Sequence, residues 1–130
     1  MRIDYAARAQ ALVGTRFRPQ GRGEGGLDCV GVVLATFQIP ADVVRCDYRL
    51  AGVETGEIEA ALESHFRRVA KSQLRSGDVM LLQAGQDQPH LAVRTAHGFV
   101  HAHAGLRRVV ETPGLPEWPL LGVYRKRRGR

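Results

Sequence analysis

The side chains best suited to covalent chemistry are a cysteine at the head of an apolar run and a group of histidines in the second half of the chain. Cys29 follows Asp28 and opens CVGVVLATFQI, which Pro40 stops. With Asp28 as N-cap the run predicts a short helix, apolar nearly all round and so buried on most sides. Its β-branched residues leave a strand reading open. A cysteine in the first helical turn sits among unpaired N–H groups at the positive end of the macrodipole, and both favour thiolate. The same N–H groups can face an oxygen that becomes negative when a carbonyl is attacked. The preceding loop, TRFRPQGRGEGGL, reads as too flexible for a regular element and keeps the approach open, while Gly31 keeps the second turn slim. On these residues alone a small core thiol competes with a nucleophile. Cys46, in VVRCDYRL, has no partner pattern and reads as an ordinary, partly buried thiol. Two cysteines make no disulfide framework, so a reduced compartment is expected.

Of the five histidines, His90, His97, His101 and His103 fall within fourteen positions. At strand periodicity His90, Ala92 and Arg94 share one face, as do Phe99, His101 and His103. A hairpin between these strands would supply a base and the group that orients it, the pairing that activates a thiol. Ala92 would leave room for the Cys29 helix. If His97-Gly98 is a strict two-residue turn, His103 faces Ala92 and His101 faces Arg94, which favours His103 as orienter. A bulge or longer turn favours His101. Zinc is the other chemistry open to His-x-His with a third histidine and a cysteine. The paired spacing of structural zinc sites is absent and no Glu is placed as a base, so neither metal nor cofactor is expected. His65 reads as a boundary residue.

The elements that must position these groups follow from pattern and turn signals. Asp4 to Val13 has helical spacing and Gly14 closes it; residues 41–56 look irregular; Glu57 to Val69 places Ile58, Ala61, Leu62, His65 and Phe66 on one helical face. Short β segments follow at Asp78–Gln83, His90–Thr95, Phe99–His103, Arg107–Glu111 and Leu120–Lys126, separated by turn dipeptides. Helices first and an antiparallel meander second predict an α+β fold with helices on one face of a sheet. No repeat or linker divides the chain, so residues 1–130 read as a single domain with a basic tail from about Arg125.

Composition narrows the function classes. Hydrophobic residues make up 44% and charged residues 25%, a globular balance. The longest apolar stretch, Cys29 to Phe37, is under half of the ~20 residues that cross a bilayer. Asp4 stands where a secretion signal would be apolar, so a route other than that pathway is expected to deliver the protein. Nineteen Lys and Arg against thirteen Asp and Glu give a net charge of +6, suited to anionic partners, although the final basic run also reads as a solvated tail. A nucleic-acid role would explain the charge but not the Cys–His pattern, and aromatic residues are few at 6%.

Taken in order, these segments resemble the NlpC/P60 cell-wall cysteine peptidases, a bacterial branch of the papain-like fold. ARAQALVGTRFRPQG is similar to the family's opening helix and loop, and LDCVGVVLATF to its Asp-Cys-x-Gly helix start. SGDVMLLQ, HLAV and FVHA resemble its Gly-Asp-Leu, His-Val-Gly-Ile and Ile-His-Ala strands. The final GLRRVVETP…WPLLGVYRKR is most similar to phage-tail and gene-transfer-agent members. The resemblance implies Cys29 as nucleophile, His90 as general base and His101 as orienter, with His103 as the alternative. It also implies that Asp28 helps to hold substrate, and that the reaction is hydrolysis of a peptidoglycan stem peptide, commonly between D-glutamate and a diamino acid, through a thioester. The partners expected are peptidoglycan and phage-tail-like proteins, with no specific nucleic acid and no membrane span. Phe17 stands where many members have Tyr beside the nucleophile, and Val30 where many have Ser. A catalytically idle tail-assembly module, or an amidase or effector on another acyl substrate, would share the pattern.

Overall fold

Two aspartates placed just ahead of apolar runs set the first helices. The computed structural model describes residues 3–17, 22–23, 26–39, 55–85 and 88–127. Asp4 caps α1 (Tyr5–Gln10) by accepting the Ala7 N–H at 3.0 Å. The predicted extension to Val13 is a turn instead, closed by Gly14 at φ +94°. Asp28 caps α2 (Cys29–Phe37) by accepting the Gly31 N–H at 2.7 Å. Every α2 residue but Ala35 is buried, which settles helix over strand for this run. The helix ends at Gln38, whose backbone is left-handed at φ 55°.

The amphipathic run expected over Glu57–Val69 divides. Its first part is α3 (Thr55–Glu63), but Phe66–Val69 is strand β3, hydrogen-bonded to the last strand of the sheet. Phe66 and Val69 are buried there, and the Arg127 N–H donates to the His65 carbonyl at 3.2 Å. Pairing along an available sheet edge outweighs a helical pattern that has only Phe66 and Val69 left to bury. The glycine-rich loop also differs from expectation, since it holds a two-rung antiparallel ribbon, β1 (Arg22–Gly23) with β2 (Gly26–Leu27).

The main sheet continues with β4 (Val79–Gly85), β5 (Gln88–Arg94), β6 (Gly98–His103), β7 (Arg108–Pro113) and β8 (Leu120–Lys126). Its antiparallel strands run in the order β3-β8-β4-β5-β6-β7. Together with the helices this is the α+β arrangement expected, with helices packed on one face of an antiparallel sheet. One face packs on the helices: Val79, Leu81, Leu91, Val93, Val100, Ala102, Val109 and Tyr124 share a core with α2 and with Ile58 and Leu62 of α3. Tyr5, Phe37 and Phe66 stack in series through it, with ring centroids 4.5 and 4.9 Å apart. The reverse face carries a smaller cluster of Met80, Leu82, Ala92 and Phe99. Alternation along each strand assigns every residue to one face or the other.

The SGD segment has a structural task. Asp78, 2% exposed, accepts both Nε and Nη2 of Arg125 at 2.8 Å and the Arg75 N–H at 2.9 Å. Gly77, at φ +93°, supplies the turn that precedes it. Arg125 and Lys126 belong to β8; residues 128–130, like Cys46, lie outside the described residues.

Candidate active site

Cys29 is the first residue of α2 and 6% exposed, with the capping Asp28 half-buried beside it. Its helix packs against β5 and β6, the strands that carry the histidines. The ladder between those strands has two rungs, Val93↔Val100 and Arg94↔Phe99, although both strands continue. Beyond Val93 β5 stays bonded to β4, and beyond Val100 β6 stays bonded to β7. An unbonded gap thus opens between β5 and β6, and across it the His90 Nε2 and His101 Nδ1 atoms lie 3.0 Å apart.

The hairpin register differs from the strict His97-Gly98 turn. Ala96 and His97 form the turn: the Thr95 N–H donates to the Gly98 carbonyl at 2.9 Å, and the Gly98 N–H donates to Thr95 Oγ1 at 3.1 Å. Gly98 is the first residue of β6 and lies so close to β7 that a Cβ would collide with the Thr112 carbonyl. The register moves His101 from opposite Arg94 to opposite Ala92, and it meets His90, two residues further along β5, across the gap beyond the last rung. His103 instead accepts the Leu106 N–H at Nδ1, 3.1 Å away, and anchors the turn that follows β6.

The other side of His101 is also engaged: its Nε2 lies 3.2 Å from Thr112 Oγ1. Trp118 stands edge-on to both rings, at centroid distances of 5.2 Å from His90 and 6.1 Å from His101. Neither Thr112 nor Trp118 was marked by the strand pattern or by turn chemistry. Burial, and then the positive charge that His101 and His103 would add, pull the His90 pKa from 6.5 to about 4. Burial, and then His103, do the same to His101. Both rings are therefore neutral near pH 7, as a resting base and its orienter need to be.

Alternation puts His90 with Leu82 and Ala92 on the face away from α2, while Leu91 and Ala102 face the helix. Ala92 does not make room for α2; it packs with Met80, Leu82 and Phe99. Val30 is buried in the helix core. Phe17 is half-buried against that core, and its N–H donates to the Arg107 carbonyl at 2.9 Å, which lays the segment Gly14–Phe17 beside β7. Among the described residues no three His, Cys, Asp or Glu side chains are grouped to hold a metal ion, and no helix is long and apolar enough to cross a membrane.

The sequence is 30% identical over 108 residues to the murein DD-endopeptidase/LD-carboxypeptidase MepS of Escherichia coli, a match that covers 81% of this chain and 51% of MepS. The fold is similar to that of NlpC1 from Trichomonas vaginalis, with a TM-score of 0.68 and 17% identity over 94% of this chain and 42% of that one. The chain belongs to the NlpC/P60 family. No family model matches the sequence. The NlpC/P60 fold alone does not decide activity. RipD of Mycobacterium tuberculosis, described as a non-catalytic NlpC/p60 domain protein adapted to peptidoglycan binding, has a TM-score of 0.60 at 15% identity, over 95% of this chain and 94% of that one. This NlpC/P60 chain spans about half the length of MepS.

Proposed function

We propose that this NlpC/P60 domain is a cysteine peptidase that hydrolyses peptide bonds in bacterial peptidoglycan stem peptides. The observation that carries the reading is the pair of half-buried His90 and buried His101, 3.0 Å between ring nitrogens, at the gap in the sheet against which the Cys29 helix packs. In this reading the Cys29 thiol reaches His90 through that gap, since strand alternation turns the imidazole to the face away from α2. His90 Nε2 is held by His101, so Nδ1 takes the thiol proton. The sulfur attacks the carbonyl carbon, and N–H groups at the start of α2 stabilise the oxyanion. The amine leaves with the proton from His90. Water, deprotonated in turn by His90, then hydrolyses the thioester and frees the acid.

Asp28, the N-cap of α2, and Phe17 are assigned to substrate contact on the family resemblance. The D-glutamyl–diamino acid bond is the cleavage site that the family resemblance supports. The basic surface suits an anionic wall, and the likeness of the C-terminal segment to phage-tail members supports delivery in a phage-like particle.

The test is an iodoacetamide pulse at pH 6 read by mass spectrometry, followed by digestion of purified stem peptides. Cys29 is expected to label much faster than Cys46, His90→Ala to slow it sharply, and the wild type alone to cleave. Slow labelling of both cysteines, unchanged by His90→Ala, would sink the assignment in favour of a non-catalytic module.

A further inference from the structure

The chain of contacts does not stop at the orienting histidine. It runs from His90 Nε2 to His101 Nδ1, and from His101 Nε2 to Thr112 Oγ1 at 3.2 Å. Each neutral imidazole carries one N–H and one bare nitrogen, so the protons along this line are interdependent. If His90 is to accept a proton at Nδ1, its own proton must be on Nε2, donated to a bare His101 Nδ1. His101 must then carry its proton on Nε2, where the atom within reach to accept it is Thr112 Oγ1. In the opposite arrangement Thr112 donates, His101 carries its proton on Nδ1 and donates to His90, and His90 Nδ1 holds a proton and is useless as a base.

We propose that Thr112 is a positioning residue: by accepting from His101 Nε2–H it fixes the tautomer that leaves His90 Nδ1 bare. This rests on the reading of His90 as base. His101 is 3% exposed, so an N–H there without an acceptor would be costly. The backbone that carries the hydroxyl is fixed, because Thr112 pairs with Phe99 in the β6–β7 ladder and its carbonyl abuts Gly98. The neighbouring groups do not compete for the role. Glu111 faces the other way and accepts hydrogen bonds from Thr95 Oγ1 at 2.7 Å and from Gln10 Nε2 at 3.1 Å. His103 Nδ1 is occupied by the Leu106 N–H.

The experiment is long-range ¹H–¹⁵N NMR of the histidine rings at pH 7 on the full chain, joined to the iodoacetamide rate, for wild type, Thr112→Val and Thr112→Ser. The wild type is expected to show His90 and His101 both as Nε2–H. Thr112→Val, close in shape but without an acceptor, is expected to move His101 to Nδ1–H and slow Cys29 labelling by about 10- to 100-fold. Thr112→Ser is expected to restore both. A folded Thr112→Val protein with unchanged tautomers, or a wild type with His101 already Nδ1–H, overturns the assignment. Tautomers that respond as stated while Cys29 is unreactive in every form would support Thr112 and defeat the nucleophile reading instead.

Discussion

The Trp118 indole meets the His90 imidazole edge to face, with centroids 5.2 Å apart and planes at 79°. Trp118 packs against both histidine rings and is itself 37% exposed. Burial is the largest cause of the low His90 pKa, so removing this ring should readmit water and raise it. Trp118→Ala is expected to move the His90 titration upward toward 6.5 and to lower the pH 6 labelling rate, with Trp118→Phe closer to wild type. NMR titration of the His90 ring checks this, and an unmoved pKa would count against a shielding role.

The same shift has a consequence for stability. The unfolded chain binds protons at His90 near pH 6.5, the folded chain only near pH 4. Between those values the unfolded state holds more protons, so stability is full above about pH 6.5 and falls as pH drops toward 4. The loss attributable to His90 should be on the order of 3 kcal/mol. Urea unfolding at pH 7, 5.5 and 4 is expected to show this loss in the wild type and a flatter profile in His90→Gln. Identical slopes in the two proteins would contradict it.

Asp78 and Arg125 tie the entry of β4 to the end of β8 through two 2.8 Å bonds. Arg125 is only partly buried and keeps the Gln73 carbonyl, so Asp78→Ala, which also strands the Arg75 N–H, is expected to cost about 1–3 kcal/mol. A chemical-denaturation midpoint within error of wild type would show the pair to be dispensable.

At Gly98 any side chain would push against the Thr112 carbonyl. Gly98→Ala should therefore destabilise by more than about 2 kcal/mol. In whatever fraction stays folded, it should also disturb the His101–Thr112 contact, visible as a changed His101 ring signal.

How much of this was legible in advance depends on how local each cause is. The α2 start was readable because N-capping by Asp28 and an apolar run are local chemistry, and the α+β order followed from pattern periods. The meeting of His90 with His101 was readable too, with His101 reached through the family resemblance. Their register was not, because it depends on Gly98 abutting β7, a contact made far along the chain. Phe66–Val69 looked helical for a similar reason, since only the β8 edge makes it a strand. Thr112 and Trp118 carry no spacing signal; their relevance exists only once the hairpin is folded.

Both margins of the six-stranded sheet are made unfit for joining another sheet. On the β7 side, Gly14, Thr15 and Phe17 already occupy backbone groups of Arg107 and Val109. On the β3 side the strand is four residues long, and its middle pair, Arg67 and Arg68, is exposed. Short, charged or pre-occupied margins discourage edge-to-edge association. A protein with such margins should stay dispersed at high concentration, and replacing Arg67 with a β-branched apolar residue is the change most apt to make it polymerise.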